Sequence, residues 1–220
     1  MTQEYRQPVY APPAGAADLL LVRHGESAPA RPGVSFPMKD GHGDPPLHPQ
    51  GERQAVAVGE RLKSESFTAL YVTKLTRTHQ TAAPLAGHLG MVPVENPDLH
   101  EVHLGDWDGG LYRIKVAEGD PIYRQVVDTQ DWSPIPGAET RDAFFGRVRK
   151  GLLDIAQAHA NERVAVFVHG GVIGAALAIA SGSEPFAFLG AANGSISRLV
   201  IHGERMIVRG FNETRHLDHL

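Results

Sequence analysis

The sequence predicts an α/β fold built on parallel strands, and three observations carry that expectation. Two continuous apolar runs, Leu19-Leu20-Leu21-Val22 and Val164-Ala165-Val166-Phe167-Val168, read as strands buried on both faces, since a half-solvated strand would alternate. Each run ends in a polar, glycine-containing turn: Arg23-His24-Gly25-Glu26 after the first, His169-Gly170-Gly171 after the second. Amphipathic helical stretches lie between them. Ligands of open α/β sheets bind just beyond the carboxyl ends of strands, so both turns fall where a site belongs.

The elements follow in order. Met1 to Ala17 is polar and rich in Pro and Ala, without a basic segment leading into an apolar one, so it reads as a flexible arm and not a signal peptide. Residues 18–220 form the expected single domain. Pro29 to Pro49 is dense in Pro and Gly and reads as a long loop over the site. Gly51 to Ser64 is a helix with Ala55, Val58 and Leu62 on one face. Ala69 to Val72 is a short strand, Leu75 to His88 a helix stopped near Gly90, and Val92 to Glu95 another strand. Asp98 to Trp132 holds short helical pieces and forms a candidate cap. Thr140 to His159 is a helix with Phe144, Val148, Leu152 and Ile155 on its apolar face, introduced by Pro136 and Gly137. Ile173 to Ala180 is the last helix, and Ser195–His202 with Arg205–Asn212 is a hairpin around Gly203.

Composition removes several function classes. The 220 residues include no cysteine, which excludes disulfides, thiolate metal sites and a cysteine nucleophile. A formal net charge of -4 offers no attraction to nucleic acid or an anionic membrane, so neither is expected as a partner. No apolar run approaches the roughly 20 residues of a membrane span. A cytoplasmic location is the expectation.

Four segments carry chemistry. Arg23-His24-Gly25-Glu26 pairs an imidazole nucleophile with a guanidinium whose fork of donors matches two phosphate oxygens. Thr73-Lys74-Leu75-Thr76-Arg77 opens a helix, whose free N–H groups attract anions, and puts Arg77 in its first turn. His169 follows the second buried strand, with Gly170 and Gly171 permitting close backbone approach. Glu101 stands near apolar Leu104 and Trp107, a setting that raises a carboxyl's pKa and suits a general acid. Each also has a structural reading: a strand-capping histidine, a helix-surface arginine, a buried histidine satisfied by backbone, a solvated glutamate.

Together and in this order, Arg23-His24-Gly25, Thr73-x-Leu75-x-Arg77, Glu101 before Gly105 and Gly109, and His169-Gly170 resemble the histidine phosphatase superfamily, also called phosphoglycerate mutase-like. The resemblance runs from about Leu19 to Asn212. It implies a three-layer α/β/α sandwich with a mostly parallel central sheet and a small cap from loop insertions. It implies that His24 is phosphorylated, that Arg23, Arg77 and His169 hold the phosphoryl oxygens, and that Glu101 is the general acid and base. Gly170, Glu26 and Ser27 complete the expected substrate-binding set. It further implies a small-molecule phosphomonoester substrate, no metal or other cofactor, and a homodimer as the family habit. Thr73 replaces the serine of many members and keeps the hydroxyl.

Three rivals stand beside the phosphatase. A cofactor-dependent phosphoglycerate mutase would continue its first motif with Trp and Asn, where this chain has Ser27-Ala28-Pro29-Ala30, and would carry a longer insertion after Glu101. A metal-dependent hydrolase would need His-Glu-x-x-His, but Leu104 stands where the second histidine belongs. A non-catalytic binding domain would have no need of Arg23, His24, Arg77, Glu101 and His169 together.

Overall fold

Strand β1 (Ala17–Arg23) lies inside a six-stranded sheet of a computed structural model that describes residues 3–220. Met1 and Thr2 of the expected arm lie outside the described residues. With β4 (Ala69–Val72), β5 (Val94–Glu95), β6 (Arg163–Val168), β7 (Ile196–His202) and β8 (Arg205–Glu213), the sheet order is β5-β4-β6-β1-β7-β8. β1 and β6 pair in parallel, as do β6 with β4 and β4 with β5. The hairpin β7–β8 adds to the β1 edge antiparallel. Parallel neighbours end at the same side of a sheet, so the turns after β1, β4 and β6 come together.

Three layers follow from the alternation of side chains along β1. Leu19 and Leu21 point to the face covered by α5 (Arg141–Ala158) and α6 (Gly170–Ser181), in one core with Leu152, Val166 and Ile173. Leu20 and Val22 point to the opposite face, covered by α1 (Pro49–Leu62) and α2 (Thr76–Leu89), with Val58, Leu62, Leu85 and Phe167. Two such cores need strands apolar on both faces, which is why these runs show no alternation. Each fully buried Leu or Val contributes about 1.5–3 kcal/mol. The fold is the expected α/β/α sandwich.

The structure redraws several element ends. α1 starts at Pro49, where a missing N–H costs nothing, and the His48 ring accepts from Gln50 N. α6 starts at Gly170 and not at Ile173, because the first turn of a helix tolerates glycines and leaves their N–H groups free for other partners. β1 takes up Ala17, which is buried along with Ala16, while residues 3–14 carry no helix or strand. The Pro- and Gly-rich stretch contains a hairpin, β2 (Met38–Lys39) with β3 (His42–Gly43). Between Asp98 and Trp132 lie the turn Gly105–Trp107, α3 (Leu111–Glu118) and α4 (Pro121–Thr129), beside the ends of β1 and β6. Among the described residues no helix is long and apolar enough to cross a membrane.

Candidate active site

The parallel register of β1 and β6 sets Arg23 opposite Val168, and His24 N donates to Val168 O at 2.9 Å. The next residues of the two strands, His24 and His169, therefore leave the sheet side by side, with ring centroids 5.2 Å apart. β4 ends alongside, and its following residue Thr73 puts Oγ1 3.0 Å from His169 Nε2. Gly25 touches α1 so closely that a Cβ there would lie 2.4 Å from Gly51 O, so the turn after β1 needs glycine.

The hydrogen bonds of His24 fix its tautomer. Nδ1 lies 2.7 Å from Gly25 O, an atom that can only accept, so Nδ1 carries the proton. Nε2 then bears the lone pair, and it accepts from Arg77 Nε at 3.2 Å, a group that can only donate. The ring is buried, and burial, then the charges of Arg77 and Arg23, hold its pKa well below the usual 6.5. The arrangement yields a neutral imidazole with its nucleophilic nitrogen facing a guanidinium.

The positive groups around that nitrogen hold donors in reserve. Arg77 also donates to Gly43 O and lies 4.0 Å from Asp44; burial lowers its pKa to about 10, so it stays charged at neutral pH. Arg23 donates from its NH1 to Ala191 O, while its buried Nε has no partner among the described residues. His169 Nδ1 is likewise buried without a partner. Burial, then Arg77 and the His24 ring, hold the His169 pKa well down, so His169 is also neutral in the unliganded site. Buried polar atoms left without a partner cost stability unless a ligand meets them.

Glu101 approaches from the opposite wall. Its Oε2 accepts from Gly171 N at 3.2 Å and its Oε1 from Val102 N at 3.0 Å. The early start of α6 makes the first contact available, and a Cβ on Gly171 would sit 2.4 Å from Glu101 Oε1. Leu104 and Trp107 line the same cavity as Glu101, whose carboxylate is held by these two backbone donors.

Arg23, His24, Glu26, Ser27, Arg77, Glu101 and Gly170 all line one cavity of about 1100 Å³. His169 stands behind His24 and outside that lining. Glu26 is at the rim, 4.0 Å from His48, and Ser27 Oγ accepts from Arg113. His100 and His103 of the rival metal motif have ring nitrogens engaged by Lys74 N and Gly105 N. Sequence reasoning missed three residues. Asn193 Nδ2 donates to His24 O at 3.0 Å, Asp44 caps α2 through Thr76 N and Oγ1, and Arg113 reaches the cavity from α3. Asn193-Gly194 reads only as a turn, and Asp44 is hidden in the Pro- and Gly-rich stretch.

The depressed histidines make stability depend on pH with a definite sign. His24 and His169 lie well below 6.5, and burial with the charges of Lys74 and His42 brings His100 to about 4. The native state then binds fewer protons than the unfolded one below 6.5, so stability is fully present above that value and is lost as pH falls toward 4. In phosphate-free buffer the urea midpoint should drop between pH 7 and 5, and drop less in His24→Asn. A midpoint that is flat or rises on acidification would contradict the assignment of buried neutral rings.

The sequence model of the histidine phosphatase superfamily (branch 1) matches residues 19–214. A metal-independent phosphoserine phosphatase of Arabidopsis thaliana is 34% identical over 205 residues, 91% of this chain and 83% of the relative. Phosphoglycerate mutase-like protein 4 of the same plant is 34% identical over 161 residues, covering 71% of this chain and 68% of the relative. Among solved structures, a mycobacterial glucosyl-3-phosphoglycerate phosphatase in complex with VO3 superposes with a TM-score of 0.74 at 27% identity, covering 90% of this chain and 99% of the other.

Proposed function

The chain belongs to the histidine phosphatase superfamily, and from that membership we propose that it hydrolyses phosphomonoesters through a phosphohistidine at His24 Nε2. The observation that carries the proposal is the tautomer of His24: its proton is committed to Gly25 O and its free lone pair faces Arg77. In the first step that lone pair attacks phosphorus as Arg77 Nε–H turns to a phosphoryl oxygen. Arg23 Nε and His169 Nδ1 supply further contacts to the oxygens, and these contacts strengthen as charge develops in the transition state. The ester P–O bond breaks and Glu101, in its acid form, gives a proton to the leaving alkoxide. In the second step Glu101 takes a proton from water, the water oxygen attacks phosphorus, the P–N bond breaks, and phosphate leaves with His24 neutral again.

Hydrolysis is favoured over mutase chemistry because a mutase must shield its phosphohistidine from water, and this chain lacks both the Trp and Asn after its first motif and the longer insertion after Glu101. The relatives named for phosphoserine and glucosyl-3-phosphoglycerate act on esters that also carry a carboxylate. Arg113, which among the described residues donates to Ala28 O and Ser27 Oγ, suits such a second anion. A panel of alkyl phosphates with and without a carboxylate tests the proposal, and no turnover of any phosphomonoester would overturn it. Turnover should persist in a strong chelator, because the guanidinium groups of Arg23 and Arg77 furnish the positive field a metal would give. Activity lost to the chelator and restored by zinc or magnesium would contradict this.

A further inference from the structure

We propose that Arg147, paired with Glu139, is a positioning residue that sets the place of Glu101 and thereby governs proton transfer to the leaving group. Arg147 projects from α5 toward the segment that carries Glu101, and all five N–H groups of its guanidinium are in use. NH1 donates to Asp98 O at 2.9 Å and to His100 O at 2.7 Å, and NH2 donates to Glu101 O at 2.9 Å. Nε and NH2 grip the Glu139 carboxylate at 2.7 and 2.8 Å. Three carbonyls of an irregular segment thus converge on one planar cation.

Glu139 closes the clamp from the other side. Its carboxylate accepts from His103 N at 3.3 Å, and its own N donates to His103 O at 2.9 Å. Residues 98 to 103 are therefore held at both ends, with Glu101 between them. One turn beyond Arg147, Gly151 lets the segment lie against α5, since a Cβ there would fall 2.9 Å from that of Asp98. The Glu101 carboxylate is bonded to the N–H of its own neighbour Val102, so its position follows this backbone. A reacting group displaced by about 1 Å loses up to about 10²-fold in rate, which makes such support part of the chemistry. Lysine would preserve the charge but has one nitrogen, which cannot span three carbonyls and a carboxylate. The pair is mostly desolvated, so deleting either charge outright would leave the other stranded.

This inference rests on Glu101 being the general acid, and the test separates the two claims. Single-turnover formation of phosphohistidine is measured with an alkyl phosphate and an activated aryl phosphate. The proteins are Arg147→Lys, Glu139→Gln, Glu101→Gln and Arg147→Lys with Glu101→Gln combined, each shown folded by thermal melting. Arg147→Lys should slow the alkyl ester about 10- to 100-fold and the aryl ester far less. Glu139→Gln should shift the same ratio in the same direction, and serves alone if the lysine variant does not fold. The combined variant should be no slower than Glu101→Gln, because a misplaced acid that has already been removed costs nothing more. Equal losses on both esters, wild-type alkyl rates, or losses that multiply in the combined variant would overturn the positioning role. If Glu101→Gln itself loses equally on both esters, the acid assignment falls and the positioning role falls with it.

Discussion

In His24→Ala, hydrolysis of every phosphomonoester falls by about 10⁴-fold or more while the fold survives. The loss is large because the covalent route disappears; the remaining groups can still bind phosphate but have nothing to pass it through. The fold survives because the ring belongs to neither apolar core, and its side-chain bonds reach only Gly25 O and Arg77 Nε. Arg77, Arg23 and His169 remain to hold phosphate, so inorganic phosphate should still bind the variant. Purified His24→Ala with wild-type turnover would remove His24 from the mechanism.

Glu101→Gln divides substrates by their leaving groups. An alkyl phosphate departs as a strongly basic alkoxide and needs a proton in the transition state, whereas an activated aryl phosphate departs as a weakly basic phenolate. General acid catalysis is worth about 10²–10⁴-fold, so alkyl esters should lose much of that range in forming phosphohistidine. Aryl esters should lose less in that step, after which hydrolysis of the intermediate becomes slow because the base for water is also gone. Glutamine keeps the size of the side chain and one oxygen for Gly171 N, and the acceptor it loses toward Val102 N is lost for both ester types, so that loss does not account for the difference between them. Arg77→Ala, in contrast, should harm both ester types comparably, since it removes contacts to oxygens common to both. Equal alkyl and aryl losses in Glu101→Gln would send the search for the acid to Glu26 or Asp108, which line the same cavity.

The sheet was legible because β1 and β6 are buried on both faces, and a run such as Leu19 to Val22 has few other uses. The turns that form the candidate site were legible for the same reason, since each polar motif stands immediately after such a run. Helix ends were harder. Gly170 and Gly171 read as a turn because glycine is a poor helix former, yet the start of a helix is where a free N–H is wanted, and Gly171 gives its own to Glu101. Asn193 and Arg147 left no sequence signal because they act on backbone carbonyls, which every residue has. Asp44 and Arg113 lie in segments without periodicity, and their roles emerge only when those segments fold over the ends of β1 and β4.

Rapid quenching detects the covalent phosphoryl group expected on His24. The enzyme is mixed with a phosphate-radiolabelled aryl ester, stopped in alkali within milliseconds and digested for peptide mapping. The expected label survives base, is lost in acid and lies on the peptide containing His24. That label is absent from His24→Ala and accumulates in Glu101→Gln. A burst of released phenol with no protein-bound label, or a label on any other residue, would contradict it.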